Sequence, residues 1–445
     1  MTGISILIPN NFIAERKYAI STLFNDILGV SFDSIEAYHM SDYTIILPGN
    51  KTIIIKDHFF SKFKDDSPSV YLSSTSIPFI INLIKNKFTF EKDIPVLFGN
   101  DELNIDENCI VCGIDVFASV FFMLTRWEEY VLPQKDLHFR FPAEASLAFK
   151  NNFLHRPVVN EYAEMIWAMI MELIPSLIIR KPSTFELVLT HDIDIIGSPV
   201  QLRRFLGDIK KGKIKTFLKR LLYLKNGHNP NFIFDEFMDI SDKNNIKSRF
   251  YFMTGCNVRK DDEDYTDSIM LKEAIKKIKQ RQHIIGLHPS YNSYNKTDMF
   301  CEERTRLIQL TNLEINEGRQ HVLRFSLPET WQIWEDNGML LDSTMGYSSQ
   351  EGFRCGTANK YTLFNFLTRK VLNLKELPLI VMDATVHRNK KLSNAECYQI
   401  FIKYINICKK YKMPITLLFH NNMFDEMEWE DGKKLYYQLF DIEHN

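Results

Sequence analysis

The sequence predicts an α/β protein built on parallel strands. Three observations carry that expectation. Five short apolar runs in the second half of the chain each lead into a polar residue. Run 185–190 leads into His191-Asp192-Ile193-Asp194, run 284–287 into His288, run 322–323 into Arg324, run 379–382 into Asp383, and run 415–419 into His420. Continuous apolar runs mark strands buried on both faces. After Thr184, such runs alternate with helical periodicity, which implies parallel strands joined by right-handed crossovers. Finally, the polar linker Arg180-Lys181-Pro182-Ser183-Thr184 splits the chain into an α/β unit over 1–180 and a second unit over 185–445. Polar groups at the C-terminal ends of parallel strands are where α/β enzymes keep their sites. Five in order point to one mouth.

In the first unit, residues 4–8, 43–47 and 52–55 read as strands, and 15–28 as a helix. Residues 115–131 carry Val116, Phe117, Val120, Phe121, Leu124 and Trp127 at helical spacing. A further helix over 162–174 stops at Pro175. In the second unit, 249–253 and 282–287 read as strands flanking a helix over 271–279. A helix over 301–317 precedes a strand over 322–325. Helices follow at 331–337 and 394–411 before the strand that ends at His420.

Composition narrows the function. Of 445 residues, 45% are hydrophobic and 13% aromatic, which supports a large core and argues against disorder. The net charge of −2 offers no global field for nucleic acid, and none is expected as a partner. The seven cysteines include no C-x-x-C pair, and the N-terminus lacks a basic leader region, so reduced thiols and a cytoplasmic location are expected. No apolar stretch is long enough for a transmembrane helix. Residues 201–225 hold nine Lys or Arg against one acid, Asp208, with interleaved Leu and Phe. This reads either as a solvated outer helix or as a docking surface for an anionic membrane or a polyanionic substrate.

The chemistry gathers at the strand ends. Asp192 and Asp194, two apart, share a face if the strand continues through Ile193. Two carboxylates so close ionise together only around a cation, or one stays protonated. His288 beside them makes a mixed nitrogen–oxygen set suited to zinc or another divalent ion. His283, on the opposite face of a regular strand, reads as a core histidine. His420 at a strand end can pass a proton to a leaving group. Arg324 can hold a carboxylate in its guanidinium fork.

In this order the segments resemble the polysaccharide deacetylases with the NodB-homology fold, carbohydrate esterase family 4. Thr190-His191-Asp192-Ile193-Asp194 is similar to that family's first motif, a catalytic Asp followed by a metal-binding Asp. His283–Asn292 is similar to its second, His-x-x-x-His after an Ile-Gly-x strand. The segment from Arg324 through Pro328 to Trp331 is similar to the third, which supplies an Arg that orients the base. Gly338–Thr344 is similar to the fourth region, and Leu418-Phe419-His420 to the fifth, whose His is the general acid. Residues 110–180, with Thr125-Arg126-Trp127-Glu128-Glu129-Tyr130, resemble the small domain that precedes this barrel in some bacterial surface-polysaccharide homologues.

The resemblance implies a distorted (β/α) barrel of about seven strands and a metal-dependent de-N-acetylase acting on an amino sugar, lipid- or nucleotide-linked. It implies Asp192 as base, Arg324 as its orienting partner and His420 as acid. Asn292 stands where the family has its second metal His. The implied metal set is therefore Asp194, His288 and Asn292, or one completed by His283, or a degenerate site in a saccharide-binding barrel. Hydrolysis of another amide C–N bond is the remaining alternative.

Overall fold

A computed structural model describes residues 3–177, 180–197, 209–210, 212, 214–226, 229–255, 265–424, 429 and 431–440. Of the basic stretch at 201–225, residues 201–208, 211 and 213 lie outside the described residues.

The first unit is a six-stranded mixed sheet. Its strands are β1 (Ser5–Pro9), β2 (Ser34–Tyr38), β3 (Tyr43–Leu47), β4 (Lys51–Ile55), β7 (Gly99–Ile105) and β8 (Cys109–Ile114), in the order β2-β1-β3-β4-β8-β7. A two-stranded ribbon, β5 (Asn82–Ile84) with β6 (Ile94–Val96), stands apart. The apolar period read at 115–131 is two helices, Val116–Thr125 and Trp127–Val131, broken where Arg126 adopts the left-handed conformation at φ 55°. The break aims the Arg126 guanidinium at the carboxylates of Glu128 and Glu129, and all three are buried.

Among the described residues the second unit is a curled sheet of nine strands rather than about seven. It comprises β9 (Glu186–Ile193), β10 (Arg249–Phe252), β11 (Ile284–Leu287), β12 (Glu317–Gly318), β13 (Leu341–Asp342), β14 (Tyr361–Asn365), β15 (Lys370–Glu376), β16 (Leu379–Met382) and β17 (Pro414–Leu418). The order is β14-β15-β13-β12-β11-β10-β9-β17-β16, and only the β14–β15 pair is antiparallel. Only Leu377 and Pro378 separate β15 from β16, so one extended run serves both ends of the strand order. Proline lacks the ladder N–H, which suits the point where the run changes partners.

One expected strand is absent. Residues 322–325 form a turn, and the strand in that place is the two-residue β12. It is short but tightly seated: a Cβ on Gly318 would meet the Leu287 carbonyl oxygen at 2.1 Å, and one on Gly286 would meet the Glu317 carbonyl oxygen at 2.6 Å. Glycine at both positions lets β11 and β12 close up.

The two units share one contiguous cluster of buried hydrophobic residues. Tyr18 stacks on Phe364 with centroids 4.8 Å apart, and its hydroxyl donates to the Thr362 carbonyl. Arg354 holds Glu129 through one guanidinium edge, Nε donating to Oε1 at 2.9 Å and Nη2 to Oε2. Among the described residues no helix is long and apolar enough to cross a membrane.

Candidate active site

β9 pairs in register with β10 on one side and β17 on the other, which sets Asp192 and His191 opposite Tyr251 and Phe250, and Thr190 opposite Leu418. The alternation of a strand then sorts the side chains. His191 turns into the core. Its Nδ1 lies 3.0 Å from the Phe419 carbonyl, and its ring stacks on Phe237 at 3.8 Å. Burial pushes its pKa down to about 3, so it is neutral. Asp192 and Asp194 face the mouth.

Asp192 is clamped by Arg319. Nη1 of Arg319 donates to Asp192 Oδ1 at 2.9 Å and to Thr190 Oγ1 at 2.8 Å. Its Nε and Nη2 are taken by the Ser343 carbonyl (2.7 Å) and hydroxyl (2.9 Å). With every edge of the fork occupied and the side chain fully buried, Arg319 has one orientation.

Beside this pair three groups converge. Asp194, His288 and His321 are all buried and offer ligand atoms within 4.8 Å of one another. His288 Nε2 lies 3.4 Å from Asp194 Oδ1 and 3.9 Å from Asp192 Oδ2, and His321 Nε2 lies 3.9 Å from Asp194 Oδ1. The Arg319 carbonyl, 2.7 Å from His288 Nδ1, accepts that ring's proton and leaves Nε2 free to act as a ligand. Burial alone would raise Asp194. Contact with His288 and the nearby charges of His420, His321 and His288 outweigh it and hold the carboxyl well below its usual range.

The residues fit a divalent ion. Asp194 Oδ1 is buried without a hydrogen-bond partner, the state of an oxygen shaped for something else. Nitrogen and oxygen ligands about 2.0–2.1 Å from a tetrahedral ion sit roughly 3.4 Å apart. The His288–Asp194 spacing is already there, and His321 needs only a small approach.

His420 lies within electrostatic reach of both Asp194 and Asp192. Asp383 accepts from both its backbone N–H and its Nδ1, each at 2.6 Å. Burial opposes protonation, but the Asp383 charge and hydrogen bond, with Asp194 and Asp192 behind them, raise the imidazole to about 9.

Of the residues singled out from sequence, Asp192, Asp194, His288 and His420 come together here. Arg324 and Asn292 do not. Arg324 lies between the rings of Tyr291 and Tyr294, 4.1 Å from each, and donates to Asn292 Oδ1 at 2.9 Å and to the His138 carbonyl at 3.1 Å. Asn292 is thus engaged by Arg324, and His321 takes the place beside Asp194 and His288. His283 is no ligand here: its Nδ1 accepts from the Ser248 N–H at 3.1 Å and its Nε2 faces Asp242. Sequence reasoning missed Arg319 and His321, and it placed Asp383 at a strand end without giving it a role. The available signal for the first two was the Arg-x-His spacing directly after Glu317-Gly318.

His321 stands on a strained turn. Val322 and Leu323 both have positive φ, 51° and 55°, unusual for a branched and a bulky residue. The first unit holds this turn in place, with Arg140 Nη1 donating to the Val322 carbonyl at 2.5 Å and Asp136 pairing with Arg140.

The architecture and site define a class: an α/β chain whose parallel strand ends present a carboxylate–arginine pair, an Asp-His-His cluster and an Asp-bound histidine. A family described only as one of unknown function, DUF7033, matches residues 4–175. No curated protein matches the chain. Among solved structures it is similar to a Mycobacterium smegmatis protein assigned as a polysaccharide deacetylase, at 15% identity and TM-score 0.38, over 58% of this chain and 85% of that one. It is also similar to a Bacillus anthracis CE4 family pseudoenzyme, at 13% identity and TM-score 0.29, over 58% of this chain and 63% of that one. A mutant of that pseudoenzyme with restored enzymatic activity aligns at 12% identity and TM-score 0.30, over 59% and 65%. A likeness this faint carries no function.

Proposed function

We propose that the chain is a metal-dependent hydrolase that removes the N-acetyl group from an amino sugar. One observation carries this reading: Asp192, locked by Arg319, lies beside the Asp194-His288-His321 cluster, and the Asp383-bound His420 feels the charge of both Asp194 and Asp192. Bound by Asp194, His288 and His321, a divalent ion, with zinc the best match to the donor set, supplies Lewis acidity toward an acetyl carbonyl and acidifies water. The chain's own residues supply the rest. Asp192 takes the proton of the attacking water. Arg319 keeps Oδ1 occupied, so the proton is received at Oδ2. His420, protonated through its pairing with Asp383, delivers a proton to the departing amine. Acetate and the free amino sugar leave.

The case for a degenerate barrel leans on Asn292, and His321 weakens it. The test is acetate release from a panel of N-acetylated sugars, nucleotide-linked and lipid-linked sugars included, with and without added divalent ions. Metal-dependent release that Asp192→Asn abolishes supports the reading. Stoichiometric metal with no release from any N-acetylated sugar would turn attention to other amides.

A further inference from the structure

The loop after Asp194 carries an amphipathic helix rooted at the rim of the site. The chain leaves the sheet past Ile196 and Gly197 and returns at Asn229 and Asn231. Asn229 Nδ2 donates to the Ile196 carbonyl at 2.8 Å, and Asn231 Nδ2 to the Gly197 carbonyl at 3.1 Å. Asn421, the neighbour of His420, donates to the carbonyls of Ile195 and of Asn231, the latter at 2.9 Å. Both roots of the excursion are therefore pinned to the strand-end face that holds Asp194 and His420.

Between the roots runs helix Ile214–Asn226. Ile214, Leu218, Leu221 and Leu222 recur at i, i+4, i+7 and i+8, one stripe of a helix. All four are exposed, by 70%, 57%, 42% and 58%. Ile209 adds to the exposed apolar surface, and Lys210, Lys215 and Lys225 are exposed beside it. No Asp or Glu occurs anywhere in 209–226. A scattered exposed leucine needs no cause, but a contiguous stripe does.

The charge selects the occupant. A second copy of this chain would set one basic stripe against another, so self-association is opposed. The helix is about 20 Å long, too short for a hydrocarbon core of about 30 Å. It can lie in the plane of a bilayer, with leucines among the acyl chains and lysines reaching up to anionic headgroups. We propose that helix Ile214–Asn226 docks the protein on an anionic membrane surface and turns the strand-end site toward it. Resting on the function proposed above, this makes the substrate an amino sugar carried on a lipid headgroup.

The experiment uses the full chain with sedimenting vesicles of phosphatidylcholine, with and without phosphatidylglycerol. Binding should require the anionic lipid and weaken steeply with salt. Replacing three lysines (Lys210→Gln, Lys215→Gln, Lys225→Gln) should weaken it roughly a hundredfold. The pair Leu218→Gln and Leu222→Gln should remove the salt-resistant remainder. Both sets are at the surface, and unchanged circular dichroism and melting check that they leave the fold intact. Absence of wild-type binding to anionic vesicles at low salt would overturn the proposal, as would equal binding to neutral vesicles. A concentration-dependent dimer dispersed by the leucine pair would also overturn it, in favour of a second copy. Acetate release from N-acetylated sugars, water-soluble and lipid-linked, read on the same samples, separates the two ideas. Docking without turnover sinks only the function, and turnover without docking sinks only the membrane.

Discussion

At the scale of single residues, the site makes separable demands. Asp192→Asn should cut turnover by about 10³-fold or more while metal content, read by elemental analysis, stays unchanged. His321→Ala should strip the metal. Asn292→His should leave metal affinity where it is, because Asn292 is engaged by Arg324; tighter binding would show that this loop can reach the cluster. The His420–Asp383 pair adds a pH signature. A group whose folded pKa is raised stabilises the fold fully below its unfolded value, about 6.5, and the effect is lost as pH rises through the folded value. With His420 raised to about 9, metal-free protein should lose this contribution between those limits. Asp383→Asn should pull the imidazole titration, followed by NMR, back toward neutrality. A bound cation offsets the Asp194 charge, so the alkaline limb of activity should fall below the metal-free titration.

At the scale of elements, the instructive piece is β12 and the turn after it. Four of the five strand-end groups were legible because β9, β11, β16 and β17 each carry a short apolar run ahead of the polar group. β12 is only Glu317-Gly318, held by close approach to β11 rather than by apolar length, so no periodicity reveals it. The apolar Val322-Leu323 that reads as a strand is the strained turn behind His321, which moved the expected arginine from 319 to 324. The helix over 394–411 was plain, because Ser393 and Glu396 form a capping box ahead of a strong apolar face. Strained backbone persists where its surroundings over-determine it. Arg140→Gln should therefore loosen the turn and weaken metal affinity by about tenfold, leaving the Arg319–Asp192 pair in place. Isothermal titration with zinc reads the first effect. Unaltered affinity would mean that the turn holds itself.

At the scale of the whole molecule, the two units are joined by buried charge as well as by apolar surface. Glu129 is shared between Arg126 and Arg354, all three buried. Removing one partner of such a pair strands the other, so Glu129→Leu should cost about 3–5 kcal/mol. Thermal unfolding of the wild type should be one transition, since the apolar cluster is continuous across both units. Two well-separated transitions would show that each unit keeps its own stability.

Arg140 belongs to the first unit, yet the turn it grips delivers a ligand in the second. Occupancy of the cluster and seating of the 136–140 loop are therefore thermodynamically linked, and each must favour the other by the same factor. Metal at a hundred times its dissociation constant should stabilise the whole chain by about 2.7 kcal/mol and slow amide exchange in that loop. The practical consequence falls on truncation. A chain begun at residue 185 would keep Asp194, His288 and His321 and still bind metal poorly, an apparent pseudoenzyme made by the cut.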